Sequence, residues 1–316
     1  MISVGQEVMG LNSHELAKVN SSPFVIKLVI IVALTATFIS ITLLIPSSLW
    51  IIPSLFLGLV YAHGVELQHQ CLHNTAFRNR ALNRGVGVFL GLPSFVSYSD
   101  YQNSHMKHHR LLGTPEDKEF FNYSYQKLTS VPALIPHFWM VRHYRDVFFF
   151  ICKSLAGILV REKDATLKMA KKIRSEYQLM AIFSLIMIAI TIAFQTPLFL
   201  KLWLIPFLVA VPAHALIELP EHIGCNTKVP NVLENTRTIK ASKLAVWFVD
   251  GNNYHVEHHW LPGVPNNKFP QLHTHVLPKI EYLEDSYWSF YRKFFQNLAK
   301  KNLHRPWEHE LKNQSL

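Results

Sequence analysis

The sequence predicts an all-α membrane protein, with four transmembrane helices in two hairpins and a helical cap on the cytosolic side. Three observations lead there. Hydrophobic residues make up 49% of the chain and are gathered into long blocks. Charged residues make up only 16%, against about 25% in soluble domains. The basic residues behind the formal charge of +10 crowd into the polar stretches between the blocks. That is the bias of cytoplasmic segments, so both termini and the large polar regions are expected inside. No basic, aromatic-interleaved nucleic-acid motif is present, which argues against nucleic acid as a partner. Cys71, Cys152 and Cys225 are widely spaced and make neither a disulfide framework nor a thiolate metal knuckle.

Residues 1–22 are polar and carry no cleavable signal pattern. Residues 24–46 are almost uncharged and long enough to cross a bilayer. After Ser47-Ser48 the apolar run resumes over residues 49–62. That is about 21 Å of helix, too short to span, so the helix is expected to continue through His63 and Glu66 and emerge near His69. Residues 24–68 thus form the first hairpin. The second occupies residues 177–219, with an apolar segment at 179–194, a turn at Gln195-Thr196-Pro197 and a return over 198–219. Pro206 and Pro212 are expected to kink the return. Between the hairpins, residues 85–97 are apolar but short, which predicts a re-entrant or interfacial segment. Gly87 and Gly91 are spaced for helix packing. Residues 131–160 predict one or two interfacial helices, and residues 280–301, within a tail of 276–316, predict a surface helix. With no repeats or low-complexity tracts, residues 1–316 read as a single domain.

Histidine is in surplus at 18 copies, and its specialised roles are proton transfer and metal ligation. His69 and His73 form an HxxxH at the cytosolic end of the second helix. His105, His108 and His109 form an HxxHH between the hairpins. His255, His258 and His259 form another beyond the fourth helix. Spacings of three and four put side chains on one helical face. One HxxHH arises by chance in roughly one of about twenty chains of this composition; two with a matching HxxxH are far rarer. All three motifs fall on the same side of the membrane, so they can converge. Imidazole suits Fe, Zn, Cu and Ni alike. Eight or more histidines are too many for one zinc, which makes two metals the natural count. His214, Glu218 and His222 recur at intervals of four. His222, just outside the membrane, is the ligand candidate among them. Glu218 is expected to neighbour the metal or bind through water, and His214 to pack. Glu66, three residues before His69, and Glu257, inside the third motif, are expected to orient ligands or meet solvent.

These residues resemble the membrane fatty-acid desaturase and hydroxylase superfamily. The resemblance rests on His69-x-x-x-His73, His105-x-x-His108-His109 and Asn253-Tyr-His255-Val-Glu-His258-His259-Trp-Leu-Pro262. The stretches Glu218-Leu-Pro-Glu-His222-Ile-Gly-Cys225 and Asn235-Thr-Arg237-Thr-Ile239 further resemble the branch around dihydrorhizobitoxine desaturase. The superfamily resemblance implies two irons held by His69, His73, His105, His108, His109, His255, His258 and His259, with His222 as an additional ligand. It also implies O2 as co-substrate and desaturation of an acyl or related lipid-like chain. In the family's structurally known acyl desaturases an Asn stands four residues before that extra histidine and reaches a metal through water. Glu218 takes the position here, a departure that bears on the reaction outcome.

An unactivated C–H bond needs a stronger oxidant than acid–base groups provide, and a cofactor carries that part. No b5-type His-Pro-Gly-Gly, Cys cluster or GxGxxG loop is present, so electrons are expected from an external carrier of ferredoxin or cytochrome b5 type. The basic face suits an acidic carrier and also anionic lipid headgroups. A di-iron hydroxylase or ketolase of a carotenoid or other hydrophobe is the nearest alternative. A membrane metal or haem carrier is the non-enzyme alternative, though its ligands belong inside the spans. A zinc protease lacks its HExxH or HxxEH.

Overall fold

The computed structural model describes residues 13–45, 48–117, 128, 130–159, 165–303 and 306–307. Its principal helices are α1 (Ser22–Leu44), α2 (Ile51–Leu72), α3 (Arg80–Gly91), α4 (Tyr98–Leu111), α5 (Val131–Phe138), α6 (Val141–Leu155), α7 (Leu167–Ala193), α8 (Ile205–Glu218), α9 (Lys243–Phe248), α10 (His255–Trp260), α11 (Phe269–Val276) and α12 (Tyr287–Ala299). Among the described residues four stretches are long and apolar enough to cross a membrane: α1, α2, α7 and Leu200–Glu221. The all-α membrane fold expected from the sequence is the one found.

The boundaries differ where charge and backbone geometry intervene. The third spanning helix starts at Leu167 rather than 179. Lys168, Lys171, Lys172 and Arg174 end the apolar stretch but not the helix, because charged residues are good helix formers. The return opens with a π-helical turn, Leu200–Leu204, before α8. Pro206 has no N–H for the carbonyl of Leu202 and its ring would crowd that turn. The freed carbonyls are satisfied from α2, where Tyr61 donates to Leu202 O (2.9 Å) and Ser54 to Lys201 O (2.7 Å). That is how a membrane helix tolerates proline.

Helix α2 is buried in the bundle, while α1 shows much of its surface to lipid. A close approach joins α2 to α8. A Cβ on Gly58 would stand 2.6 Å from Val209 Cβ and 2.7 Å from Pro206 O, so only glycine fits. Gly87 and Gly91 pack closely, against side chains and, at Gly91, also against the Val96 carbonyl. Gly87 takes the Tyr98 ring and Gly91 the Gln68 amide of α2. Glu176 of α7 locks α4 in place. Its carboxylate accepts from Ser97 Oγ (2.8 Å), Ser99 N (2.8 Å) and Ser99 Oγ (2.7 Å), and pairs with Arg84 (2.7 Å). A carboxylate there meets the unpaired N–H groups of a helix start.

The short apolar segment at 85–97 becomes α3 and a 3₁₀ turn, Leu92–Ser94, with the helix beginning earlier because Asn79 caps it. Residues 131–159 form the two helices α5 and α6, broken at Met140, whose φ is 45°; residue 160 lies outside the described residues, as do 1–12, 46–47, 304–305 and 308–316. In the tail, helix α12 buries Phe290, Phe294 and Leu298 against the protein and leaves Trp288 and Phe295 exposed. Before it, β2 (Tyr282–Glu284) pairs in parallel with β1 (Arg237–Ile239), Arg237 opposite Tyr282. Strands of three residues are too short to show alternation in a sequence.

Gly58→Val is expected to destabilise the detergent-solubilised protein by about 1–3 kcal/mol, the usual range for overpacking. Thermal unfolding checks it, with Gly85→Ala, whose Cβ would meet nothing within 4 Å, as a control that leaves the unfolding temperature unchanged or slightly raised.

Candidate metal centre

Four backbone elements bring the histidines together. Helix α2 ends at Leu72, so His69 lies in its last turn and His73 caps it. Helix α4 carries His105, His108 and His109, and α10 carries His255, His258 and His259. His222 follows a 3₁₀ turn, Leu219–Glu221, that takes the chain out of α8.

The side chains sort into two groups. His69, His73, His105 and His258 form one, and His108, His222, His255 and His259 the other; His109 lies with His258 and His259. Each HxxHH therefore serves both centres. On α4, His105 faces the first group and His108 the second; on α10, His258 faces the first while His255 and His259 face the second.

The nitrogens are too close to be satisfied by one another. His105 Nε2 stands 2.7 Å from His69 Nε2, 3.0 Å from His73 Nε2, 3.0 Å from His109 Nε2 and 3.4 Å from His258 Nε2. A ring nitrogen holds at most one hydrogen, so it can share it with one of these neighbours. The remaining contacts set lone pair against lone pair. In the second group His222 Nε2 is 3.1 Å from both His108 Nε2 and His255 Nε2. His259 Nε2 is buried with no hydrogen-bond partner. A cation between the nitrogens removes the conflict. Nitrogens about 2.1 Å from a shared metal stand about 3.0 Å apart at octahedral angles and about 3.4 Å at tetrahedral ones, matching these separations.

The opposite ring nitrogens are held. His69 Nδ1 meets Asn252 Oδ1 (3.1 Å), His108 Nδ1 meets Asp117 Oδ2 (2.9 Å), and His222 Nδ1 donates to Asn235 O (2.9 Å). A donor role at Nδ1 leaves Nε2 as the lone-pair nitrogen. Burial disfavours the charged form of seven of the nine rings. His222 is held down to about 3, by burial first and by His108 next, partly offset by its bond to Asn235. His73, His105, His109, His255, His258 and His259 are held well below the usual histidine value by burial and by one another. Neutral imidazoles bind a metal without first losing protons.

The carboxylates stand around the groups, not in them. Glu66 accepts from Asn252 Nδ2 (2.6 Å), and that amide's oxygen faces His69. Glu257 is fully buried, between His273 and Thr238, so it fixes α10 to α11 and β1 rather than meeting solvent. His214 does more than pack. Its Nδ1 is 2.7 Å from Glu66 and its Nε2 3.0 Å from Glu218. Asp117, Asn252 and His273 escaped the sequence reading, since none stands in a motif with the group it supports, while Asn235 and Arg237 stood in a quoted stretch without a role at the site. Arg237 donates to Pro220 O, two residues before His222, from a buried cage of Tyr282, Phe290 and Trp307.

A chamber of about 940 Å³ opens beside the cluster. His69, His105, His108, His222 and His255 are among its lining residues, and Phe95, Val147, Phe150 and Val211 contribute apolar wall.

The family model described as fatty acid desaturase matches residues 24–291. A sphingolipid delta(4)-desaturase/C4-monooxygenase of Rattus norvegicus is 29% identical over 224 residues, which cover 66% of this chain. The chain spans 60% of the length of that curated relative.

His222→Ala and His258→Ala are each expected to lower metal per chain and abolish turnover. Asp117→Asn should keep the fold but weaken metal affinity about 10- to 100-fold, because it only supports His108. Elemental analysis and competition with a chelator check both; full metal retention in His222→Ala would remove it from the ligand set.

Proposed function

The chain belongs to the fatty acid desaturase family, and from that premise we propose that it is an O2-dependent di-iron oxidoreductase that introduces a double bond into an acyl or related lipid-like chain. The carrying observation is the convergence of nine imidazoles into two adjacent groups whose nitrogens need a cation. His69, His73, His105, His109 and His258 hold one iron in this reading, and His108, His222, His255 and His259 the other. When bound, the pair supplies the oxidising power that acid–base side chains lack. The balance is one saturated –CH2–CH2– unit, one O2, two electrons and two protons, giving one –CH=CH– and two waters. The electrons come from an external one-electron carrier, of ferredoxin or cytochrome b5 type.

The protein's own part is positioning. The apolar wall of the chamber takes the alkyl chain and excludes water from the reacting carbons, while the imidazoles that also line it set where oxidation falls. Asn252, Asp117 and the Asn235 carbonyl keep the rings aimed. Residues 1–316 act as one domain, crossing the membrane four times with the histidines on the cytoplasmic face. Hydroxylation at the same site is a second reading, favoured by the relative whose name carries both a desaturase and a monooxygenase.

Membranes containing the protein, supplied with O2, a reduced carrier and a saturated lipid pool, are expected to accumulate products lighter by two hydrogens and dependent on intact His258. Products heavier by one oxygen would favour hydroxylation; one zinc and no iron in active protein would sink both readings. For the topology, single cysteines in a Cys152→Ser background should label from opposite faces at the exposed positions Gln195 and Lys228, with Lys228 reached from the cytoplasm.

A further inference from the structure

Glu218 lines the chamber beside the histidine cluster. Its Oε1 meets His214 Nε2 (3.0 Å) and the Tyr101 hydroxyl (3.3 Å), and its Oε2 has no hydrogen-bond partner among the described residues. Glu66, by contrast, has both oxygens engaged, by His214 Nδ1 (2.7 Å) and Asn252 Nδ2 (2.6 Å). Both nitrogens of His214 face carboxylate oxygens, which they satisfy only if both contacts contain a proton. An imidazolium between two carboxylates, or a neutral imidazole with one protonated carboxyl, leaves the group of three at net charge −1 either way. The Tyr101 ring, bonded to Glu218, lies 6.2 Å from that of His69 and 5.5 Å from that of His105, centroid to centroid. The open carboxylate oxygen is therefore close to the reacting end of the chamber.

A chain offering only C–H bonds would cover that acceptor oxygen without pairing it, and an unpaired polar group taken out of water is costly. A donor carried by the substrate removes the conflict. We propose that Glu218 is a specificity-determining residue, and that the substrate is an amphiphile bearing a hydrogen-bond donor, a hydroxyl or an amide N–H, within a few bonds of the carbon that is oxidised. The inference rests on the di-iron lipid oxidoreductase reading of this chamber and narrows its substrate class. The apolar wall at Val147, Phe150 and Val211 takes the alkyl part. A plain acyl chain leaves Glu218 unmatched.

Three saturated probes separate the donors: 3-hydroxy-N-octylstearamide, N-octylstearamide and octyl stearate, which carry a hydroxyl and an amide, an amide only, and neither. Binding to the iron-loaded, detergent-solubilised protein is measured at equilibrium, without turnover. The wild-type protein is expected to bind a donor-bearing probe at least about 10-fold tighter than octyl stearate. The step between the two amides tells whether the hydroxyl or the amide is recognised. Glu218→Leu should shrink the preference to within about two-fold at unchanged iron content, as expected when the charged acceptor is lost. Should Glu218→Leu lose iron or fail to fold, Glu218→Gln carries the test, since its neutral amide should lower the preference several-fold. Octyl stearate bound as tightly as the amides by the wild-type protein, or a preference unchanged in the variants, overturns the inference. Iron content and O2-dependent lipid oxidation of the wild type report separately on the reading beneath it.

Discussion

The structure depends on one constraint: nine buried or half-buried imidazoles are held with their ring nitrogens facing one another. Left alone, such an arrangement is repulsive, and the rings would turn apart or take up protons. It persists because the elements that carry seven of the nine histidines are pinned elsewhere. Glu176 pins α4 to α7, and Glu257 pins α10 to α11 and β1. Arg237, caged by aromatic rings, pins the turn that presents His222. None of these contacts touches the cluster directly. They supply the rigidity that lets a metal complete the site, as outer partners commonly do in metal proteins.

The same logic explains why the tail matters. A surface helix would add little to a site so far away in sequence. Here α12 and β2 instead form the far side of the Arg237 cage and hold β1 in register. Through the Asn235 carbonyl and the Pro220 contact, the segment before β1 is clamped to the exit of α8. One ligand candidate is thus set by residues sixty or more positions downstream.

Polar groups deep in the bundle carry a cost that the chain meets with explicit partners. Tyr61 and Ser54 satisfy carbonyls released around Pro206, and Lys27 pairs with the buried Asp250, whose carboxyl burial pushes up to about 6 against the pull of that lysine. The Glu66–His214–Glu218 group follows the same rule except at one oxygen, which opens on the chamber. That asymmetry between two neighbouring carboxylates separates a group that supports the scaffold from one placed to meet a substrate.

The sequence by itself determined the four apolar spans and the nine histidines, because hydropathy and i, i+3, i+4 spacing are local properties that survive without a fold. It reached His222 by its place at the end of a span. It did not reveal where α7 begins, since charge ends a span without ending a helix, nor the β1–β2 pair, whose strands are too short for a pattern. Only the tertiary structure decided which histidine joins which group. Neighbours on α4 and on α10 point to different centres, and that division follows from how the helices cross. It alone also brought Asp117, Asn252 and Arg237 to the site and placed His214 between two carboxylates. Those contacts join residues far apart in the chain, and no local pattern records a meeting created by packing.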